Sequence, residues 1–310
     1  MSALLNKGIA VGATFLTLVA TGLLSACSGG EYETNVHPIE EAFNGIQIKT
    51  ETAGIEFIFS ESDACAVTCY ERTDMKHAVS VKEGVLTIEL IDEREWYETF
   101  YGFSDPKITL SLPRTEYGDL LIDESTGDVE IPSSFKFTSV DITVSTGDVA
   151  CNASTSGMMK IKSSTGAIRV EGASCGALDC SVSTGSVTLS QISCDGGVSV
   201  EVSTGKTDVS DLACSRFDSD GSTGKIALNN VIASGMMFIE RSTGDVLFDG
   251  CDASEIYVET DTGDVRGSLL SDKVFLVETD TGKIDVPKTT SGGRCEISTD
   301  TGDIKITIQS

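Results

Sequence analysis

The chain has 310 residues and a formal net charge of −26, from 48 acidic and 22 basic side chains. This excess of acid argues against a nucleic-acid-binding protein, which needs basic patches, and against a molecule that lies flat on an anionic bilayer. It favours a self-repelling molecule whose acidic side chains coat a solvated surface.

The first 26 residues are typical of a bacterial export signal. Lys7 supplies a positive charge, an apolar run covers residues 9–24, and small residues precede Cys27. The four residues that end at Cys27 read Leu-Ser-Ala-Cys and resemble the bacterial lipobox, in which the cysteine is acylated and the chain is cut before it. The resemblance implies an extracytoplasmic lipoprotein, anchored to the cell membrane by acyl chains such as palmitate on Cys27. The alternative is a single transmembrane anchor, for which the apolar run is marginal in length.

An N-terminal section follows the signal. Residues 27–35 are predicted to be the lipidated cysteine and a polar tether, and residues 36–118 a β section that caps the rest. Alternating segments on both sides of Glu83 and Gly84 predict a hairpin that turns at these two residues. Residues 52–57 look like a degenerate copy of the repeated corner described below. We therefore expect this section to begin the same sheets as the repeats and to cover their end.

One loop of this section, between strands predicted at residues 79–90 and 108–113, is rich in aromatic residues. Five of the chain's 19 aromatic side chains fall within eight positions: Trp96, Tyr97, Phe100, Tyr101 and Phe103. Two interpretations are open. An exposed aromatic surface would stack on a sugar or contact a partner, whereas a hydrophobic lid would cover the open end of the stack.

Residues 119–310 are organised by a repeated Thr-Gly step. The step occurs ten times at intervals of 19 or 20 residues, and the residue before it is always Ser or Asp. Its glycines are Gly127, Gly147, Gly166, Gly185, Gly205, Gly224, Gly244, Gly263, Gly282 and Gly302. A fixed period of this length predicts a solenoid of stacked, similar units.

Within each repeat, apolar and polar residues alternate on both sides of the glycine, which predicts two short strands with one buried face. The glycine between them predicts a turn with φ > 0. The predicted fold class is all-β: a single-stranded β-solenoid, similar to a parallel β-helix, with 19–20-residue coils and an irregular N-terminal capping section. Because no capping sequence follows residue 307, we expect the final coil to be an open edge where a second copy or a partner pairs.

Ten cysteines are present, and nine remain once Cys27 is set aside, so at least one has no partner within the chain. Cys175, Cys194 and Cys214 occupy equivalent positions of consecutive coils. We expect them to form one column. They are either bridged between adjacent coils or small buried apolar side chains, and the spacing leaves both open.

The sequence predicts no enzyme, no cofactor and no metal. It contains neither a Gly-x-Ser-x-Gly elbow nor a Walker loop. Both histidines, His37 and His77, precede the repeats, so a histidine base for a nucleophile on the repeats is missing. Neither histidine lies near two suitably spaced cysteines, so no zinc site is predicted.

The repeated corner offers two further interpretations. The ten threonines resemble the regular arrays of ice-binding solenoids, or their hydroxyl groups order the turn by hydrogen bonding. Acidic residues of the later coils either form a weak calcium ladder or are simply solvated. These acids are Asp261, Asp264, Asp280, Asp300 and Asp303.

Residues 40–310 resemble the bacterial putative-adhesin family. The resemblance rests on the Val-x-Glu-Gly-Val-Leu-x-Ile segment at 81–88, the Leu-Ser-Leu-Pro strand end at 110–113, and the Ser-Thr-Gly-Asp-Val repeats at 125–129 and 145–149. It implies a β-solenoid at the cell surface, and it transfers no catalytic residue.

Three functions are compatible with these observations. The first is a non-enzymatic surface lipoprotein, an adhesin or envelope-binding module that holds an envelope or host glycan or protein. The second is a structural or sensory component of an envelope-stress system that binds a protein partner. The third is an enzyme that acts on polysaccharides, by analogy with other β-helix proteins.

Overall fold

The computed structural model describes residues 31–62, 64–92 and 105–309, and every regular element in them is a β-strand. Seven strands form the N-terminal cap: β1 (Tyr32–Ile39), β2 (Gly45–Thr50), β3 (Gly54–Phe59), β4 (Cys65–Arg72), β5 (Met75–Lys82), β6 (Val85–Asp92) and β7 (Lys107–Leu112). The first strand already begins at Tyr32. The predicted tether therefore ends before Tyr32 rather than at residue 35.

The other strands form the stacked coils. The earlier ones are β8 (Glu116–Thr126), β9 (Val129–Ile131), β10 (Lys136–Thr146), β11 (Val149–Cys151), β12 (Ser154–Thr155), β13 (Met158–Glu171), β14 (Ser174–Cys175), β15 (Ala177–Cys194) and β16 (Gly197–Cys214). The later ones are β17 (Arg216–Thr223), β18 (Ile226–Thr243), β19 (Val246–Thr262), β20 (Val265–Leu269), β21 (Lys273–Thr281), β22 (Ile284–Asp285), β23 (Gly293–Thr301) and β24 (Ile304–Ile308).

Each coil has three sides, which lie at residues 140–146, 149–151 and 154–155 in one of the early coils. In the middle of the stack all three sides run together into one long strand, such as β15 or β16. Adjacent coils pair in parallel, in register and 19 or 20 residues apart: Met159 lies beside Leu178, and Leu178 beside Val198. The predicted β-solenoid with 19–20-residue coils is therefore confirmed, with a third side that the period-two pattern did not predict.

The core is a set of inward-facing columns that run the length of the stack. Alternation places every second side chain inside, where it is shielded by the coils above and below. In the first coils the filling is aromatic: the ring of Phe57 lies edge-on to Phe135 at 5.6 Å and to Phe137 at 6.3 Å. Burial of one such side chain stabilises the folded state by about 1.5–3 kcal/mol. Because this burial depends on the coils above and below, a coil is stable only between neighbours.

The cap continues the same sheets, as predicted, but not in chain order. Strand β2 pairs with both β6 and β8, and β3 pairs with both β7 and β9. The coil made by β2 and β3 thus lies inside the coil made by β6 and β7. Strands β4 and β5 then cover the end in antiparallel pairings. The predicted hairpin is confirmed, since Glu83 and Gly84 have φ of 52° and 78°.

The far end of the stack corrects one prediction. Strand β23 pairs with β19 and β21, and β24 pairs with β20 and β22. The last coil of the sequence is therefore inserted between two earlier ones, and it is not the open edge. Its inward residues Cys295, Ile297 and Ile304 are fully buried because coils pack on both sides. The open edge belongs instead to residues 270–286, which we call the terminal coil.

One side of the solenoid contains thirteen strands in a row, from β5 in the cap to β21 in the terminal coil. At a strand spacing of about 4.8 Å this row is about 58 Å long. In the part of the chain that the structure describes, no helix is long and apolar enough to cross a membrane.

Candidate functional site in the N-terminal cap

Two sets of predicted site residues lie outside the described residues: the lipidation site Cys27, and the aromatic set Trp96, Tyr97, Phe100, Tyr101 and Phe103. The strands beside the aromatic segment show its place in the chain. Strand β6 pairs with β2, and β7 pairs with β3. Since the repeated corner joins β2 to β3, the end of β6 and the start of β7 lie beside that corner. The aromatic segment therefore connects two strands of the cap.

The ten glycines of the Thr-Gly step form a column in which successive backbones approach closely. Six of them have φ between 133° and 150°: Gly147, Gly166, Gly185, Gly205, Gly224 and Gly244. A methyl group on Gly205 would lie 1.5 Å from the carbonyl oxygen of Gly185. The same close approach recurs at Gly127, Gly263, Gly282 and Gly302, where a methyl group would lie 2.7 Å or less from a carbonyl oxygen.

The acids next to these glycines bind backbone rather than remaining free in solvent. The carboxylate of Asp128 accepts the N–H of Asp148 at 2.8 Å, and that of Asp148 accepts the N–H of Ala167 at 2.7 Å. Asp264 accepts the N–H of Asp303 at 2.7 Å in the later coils. Asp128, Asp148 and Asp264 thus join coil to coil, a role that neither the calcium ladder nor simple solvation describes. Asp261, Asp280 and Asp300 are exposed, as simple solvation predicts.

The threonines of the step are exposed and in register along the corner. The carbonyl groups of the corner accept hydrogen bonds from hydroxyl groups that lie two residues before the threonine of the step. Thr279 Oγ1 donates to Gly302 O at 3.0 Å, and Thr299 Oγ1 donates to Gly263 O at 3.2 Å. The turn is thus ordered by hydroxyl groups inside the coil.

The cysteine column forms as expected. Cys175 is paired with Cys194 in register, and Ser193 with Ala213, which places Cys214 in the same line. All three are buried, and all nine described cysteines are free thiols. Burial raises the pKa of Cys214 to about 12. Of the two interpretations, the structure agrees with small buried apolar side chains.

The richest polar chemistry lies inside the cap. Six side chains there form what we call the cap cluster: Asn35, His37, Thr50, Cys69, Glu71 and His77. Strand β1 brings Asn35 opposite Cys69, and the inward faces of β4 and β5 supply Glu71 and His77. The cluster is therefore assembled from four strands, with members up to 42 positions apart in the chain.

Glu71 is the centre of the cluster. Its Oε2 accepts the backbone N–H of His77 at 2.7 Å and the ring Nδ1–H at 2.8 Å, and its Oε1 accepts the amide of Asn35 at 2.8 Å. Burial alone raises the pKa of this carboxyl, but the hydrogen bonds from His77 and Asn35 outweigh it and hold the pKa below its ordinary value. Glu71 is therefore a buried carboxylate that is held in one orientation.

The cluster contains a hydroxyl–imidazole–carboxylate sequence. Thr50 Oγ1 lies 2.8 Å from His77 Nε2, and His77 Nδ1 bonds Glu71. This order resembles a hydrolase triad. However, Thr50 is 4% exposed and His77 is 5% exposed, so very little of either side chain is accessible to a substrate. The arrangement fits an orienting network for Glu71 better than a nucleophile.

Three further donors converge beside this network. A ring nitrogen of His37, Cys69 Sγ and a carboxylate oxygen of Glu71 all lie within 4.8 Å of one another. Burial and the charge of Glu71 raise the pKa of the Cys69 thiol to about 12. The sequence predicts no zinc site because these three groups are not neighbours along the chain. The antiparallel pairing of β1 with β4 brings them together in space. The signal in the sequence was the polar alternation of Glu33, Asn35 and His37 in a strand.

An open depression lies on the outer surface next to the cap cluster. It has a volume of about 390 Å³ and is lined by Lys49, Thr50, Glu51, Glu89, Leu90, Asp123 and Ser125. Sites for small apolar ligands have mainly hydrophobic walls. The charged lining here is not of that kind.

None of the curated proteins matches the chain. A solved structure of a putative adhesin from Parabacteroides merdae is 12% identical, with a TM-score of 0.48, and the match covers 90% of this chain and 97% of that one.

Two other solved structures are similar in the same way. A putative lipid binding protein from Parabacteroides distasonis is 13% identical, with a TM-score of 0.48 and coverage of 90% and 98%. A putative adhesin from Bacteroides fragilis is 14% identical, with a TM-score of 0.44 and coverage of 89% and 97%.

The family model described as Toastrack DUF4097 matches residues 43–199. This range is half of the chain and joins the cap to the first regular coils. The chain therefore belongs to the Toastrack DUF4097 family.

Proposed function

We propose that this protein is a non-enzymatic, lipid-anchored surface rod that binds a protein of the envelope or of a host through its terminal coil. The acyl chains on Cys27 would hold the cap near the membrane, because only a few residues separate Cys27 from β1. The terminal coil, at the other end of a row of thirteen strands, would then face outwards.

The observation that carries the proposal is the apolar surface of the terminal coil. Leu270, Val274, Leu276 and Ile284 are 37% to 49% exposed within 15 residues. Strand β21 pairs on one side with β23 and β22 with β24, which leaves the outer edge of this coil open in the part of the chain that the structure describes. An open strand edge with alternating apolar side chains is a surface to which an extended segment adds as a further strand.

The edge strands at the cap are protected in a way that strand β21 of the terminal coil is not. Edge strands commonly carry proline or outward lysine, which prevent pairing with other chains. Strand β1 contains Pro38, and β5 contains the exposed Lys76 and Lys82. In β21 the single lysine, Lys273, is buried and bonded to Asp252 at 2.5 Å.

Charge selects the kind of partner. Glu278 and Asp280 are exposed on β21, and the whole chain carries a net charge of −26. Two copies would repel each other at this edge. A strand with apolar residues at alternate positions and a lysine or arginine near the end that faces Glu278 would be attracted.

Binding to a panel of envelope proteins, host matrix proteins and glycans tests the proposal, with residues 27–310 carrying Cys27→Ser so that the protein is made without lipid. Leu276→Lys places a charge on the terminal coil. Leu121→Lys is the matched control, because Leu121 is similarly exposed at 42% but lies near the cap. A third variant, Trp96→Ala with Tyr101→Ala, removes two residues of the aromatic segment.

We expect saturable binding to a protein that Leu276→Lys abolishes and Leu121→Lys preserves. Loss of binding only in the aromatic variant would move the contact site to the cap and contradict the terminal-coil proposal. Binding that survives in all three variants would also contradict it, and so would the lack of any saturable ligand in the panel.

A further inference from the structure

The cap contains a buried group of metal-binding atoms that the proposed function does not use. It lies between β1, the strand that directly follows the anchor segment, and β4. The two strands are antiparallel, with Asn35 opposite Cys69 and Glu33 opposite Glu71. His37 is two positions along from Asn35 on the same face, so it lies diagonally across from Cys69.

The three donor atoms form a set that suits one metal. A ring nitrogen of His37, Cys69 Sγ and a Glu71 oxygen lie within 4.8 Å of one another. Zinc binds nitrogen, sulfur and oxygen at about 2.0–2.3 Å, which separates tetrahedral ligands by roughly 3.3–3.8 Å. A small approach of the side chains brings all three atoms into range. Calcium and magnesium prefer oxygen ligands alone, so they fit this set poorly.

An independent observation points to a missing partner. His37 Nε2 is buried, and in the described part of the chain it has no hydrogen-bond partner. A buried polar nitrogen without a partner costs about 1–3 kcal/mol. Because the imidazole of His37 lies beside the thiol and the carboxylate, a cation held by Nε2 and these two groups would remove that cost.

The surrounding residues have the arrangement of an outer ligand shell. Asn35 and His77 hold the two oxygens of Glu71, and Thr50 in turn contacts His77. Such bonds orient a ligand and are a regular part of metal sites. They use some of the lone pairs of Glu71 and leave others for a metal.

We propose that the cap binds one Zn²⁺ ion through His37 Nε2, Cys69 Sγ and Glu71, with a water molecule as the fourth ligand. As the zinc–sulfur bond forms, the thiol proton of Cys69 leaves to solvent, and no oxidation occurs. The ion would join β1 to β4 and so tie the strand next to the anchor to the body of the cap. This inference stands independently of the terminal coil.

The test uses residues 27–310 with Cys27→Ser, freed of metal and then titrated with Zn²⁺ or Co²⁺ in excess Mg²⁺, which occupies exposed acids. We expect one tightly bound Zn²⁺ per chain. With Co²⁺ we expect the near-ultraviolet absorption of a cobalt–thiolate bond. Zinc should also raise the melting temperature, because the folded chain alone holds the complete site.

Cys69→Ser should abolish the cobalt–thiolate absorption and weaken zinc binding by at least about 100-fold, since loss of an outer-shell contact alone costs 10–100-fold. Cys65→Ser is the matched control on the same strand and should change neither. His37→Gln leaves the fully buried residues in place, so it decides the matter if Cys69→Ser does not fold. Wild-type protein that retains no zinc, or a folded His37→Gln or Cys69→Ser variant that binds zinc as the wild type does, would overturn the proposal.

Discussion

At the scale of single residues, the solenoid interior contains ionisable side chains whose polar atoms are not all hydrogen-bonded in the described chain. Glu124 is fully buried beside the first Thr-Gly corner, where its Oε1 accepts the N–H of Thr126 at 3.0 Å and its Oε2 has no partner in the described chain. Burial raises the pKa of Glu124 to about 8, although backbone hydrogen bonds from Thr126 and Ala53 oppose the rise.

The raised pKa predicts how stability depends on pH. Between the unfolded pKa near 4.5 and the folded pKa near 8, the folded state binds more protons than the unfolded one. The contribution of Glu124 to the free energy of unfolding therefore falls as pH rises through this range. We expect Glu124→Gln to make the protein more stable at pH 9 by roughly 2 kcal/mol and to change it little at pH 4.5.

Urea denaturation at the two pH values measures this effect. The exposed Glu130, on the neighbouring strand β9, provides the control variant Glu130→Gln, which should behave as wild type at both pH values. An equal effect of Glu124→Gln at pH 4.5 and pH 9 would show that the carboxyl does not titrate as described.

Arg241 is a second buried charge. Its guanidinium donates to Val202 O at 2.9 Å and to Thr207 Oγ1 at 3.0 Å, and it occupies space that the missing side chain of Gly221 leaves free. Burial lowers the pKa of Arg241, and the nearby charge of Asp220 opposes this. The side chain therefore contributes packing and two hydrogen bonds at a high desolvation cost.

This balance predicts different results for two substitutions. Arg241→Met keeps most of the volume and removes the buried charge, so we expect a change of less than about 1 kcal/mol in the free energy of unfolding. Arg241→Ala leaves a cavity and should cost about 2–4 kcal/mol. Denaturant unfolding distinguishes the two. If methionine is as costly as alanine, the charge itself stabilises the coil.

At the scale of the coil, the close approach of successive corners explains why glycine recurs every 19 or 20 residues. In Gly205 a side chain would collide with the backbone of the coil below, and φ is 144°. Gly172 has a positive φ of 64° as well, but its missing side chain faces open space. The pair therefore separates the cost of steric overlap from that of the backbone conformation.

We expect Gly205→Ala to destabilise the protein by more than 3 kcal/mol, because the neighbouring backbone must move. Gly172→Ala should cost about 1–2 kcal/mol, the usual penalty of a left-handed residue with a β-carbon. Thermal unfolding followed by circular dichroism compares them. Similar losses in the two variants would contradict the steric explanation.

Features of this chain that are local and repeated can be predicted from its sequence, whereas features that depend on strand pairing cannot. The period of the Thr-Gly step and the alternation around it predict the coils, the corner in residues 52–57 and the cap, because these are local and repeated. The third side of the coil is not predicted from the sequence, because glycine is absent from three of its turns. The chain turns there at Gln191, Asp211 and Asn230, which have positive φ. The cap cluster is not predicted either, because it forms only when β1 pairs with β4, and the sequence does not specify that pairing.

At the scale of the whole molecule, the order of strands in space differs from their order in the chain at both ends. At the cap, β2 and β3 lie inside β6 and β7. At the other end, β23 and β24 lie inside β21 and β22. Each coil has similar inward residues, so the repeat pattern alone does not specify which of two late coils is outermost. The consequence is that the open edge has exposed apolar residues and lies in an interior part of the sequence.

The terminal coil is central to the proposed function, and hydrogen exchange of the backbone amides tests its position directly. The account predicts that β21 and β22 exchange faster than β24, although β24 is the last strand in the chain, because β24 is paired on both sides. It also predicts fast exchange in β21 relative to β19, which lies deeper in the stack. Faster exchange in β24 than in β21 would show that the chain end is the open edge, and it would contradict both the coil order and the binding surface derived from it.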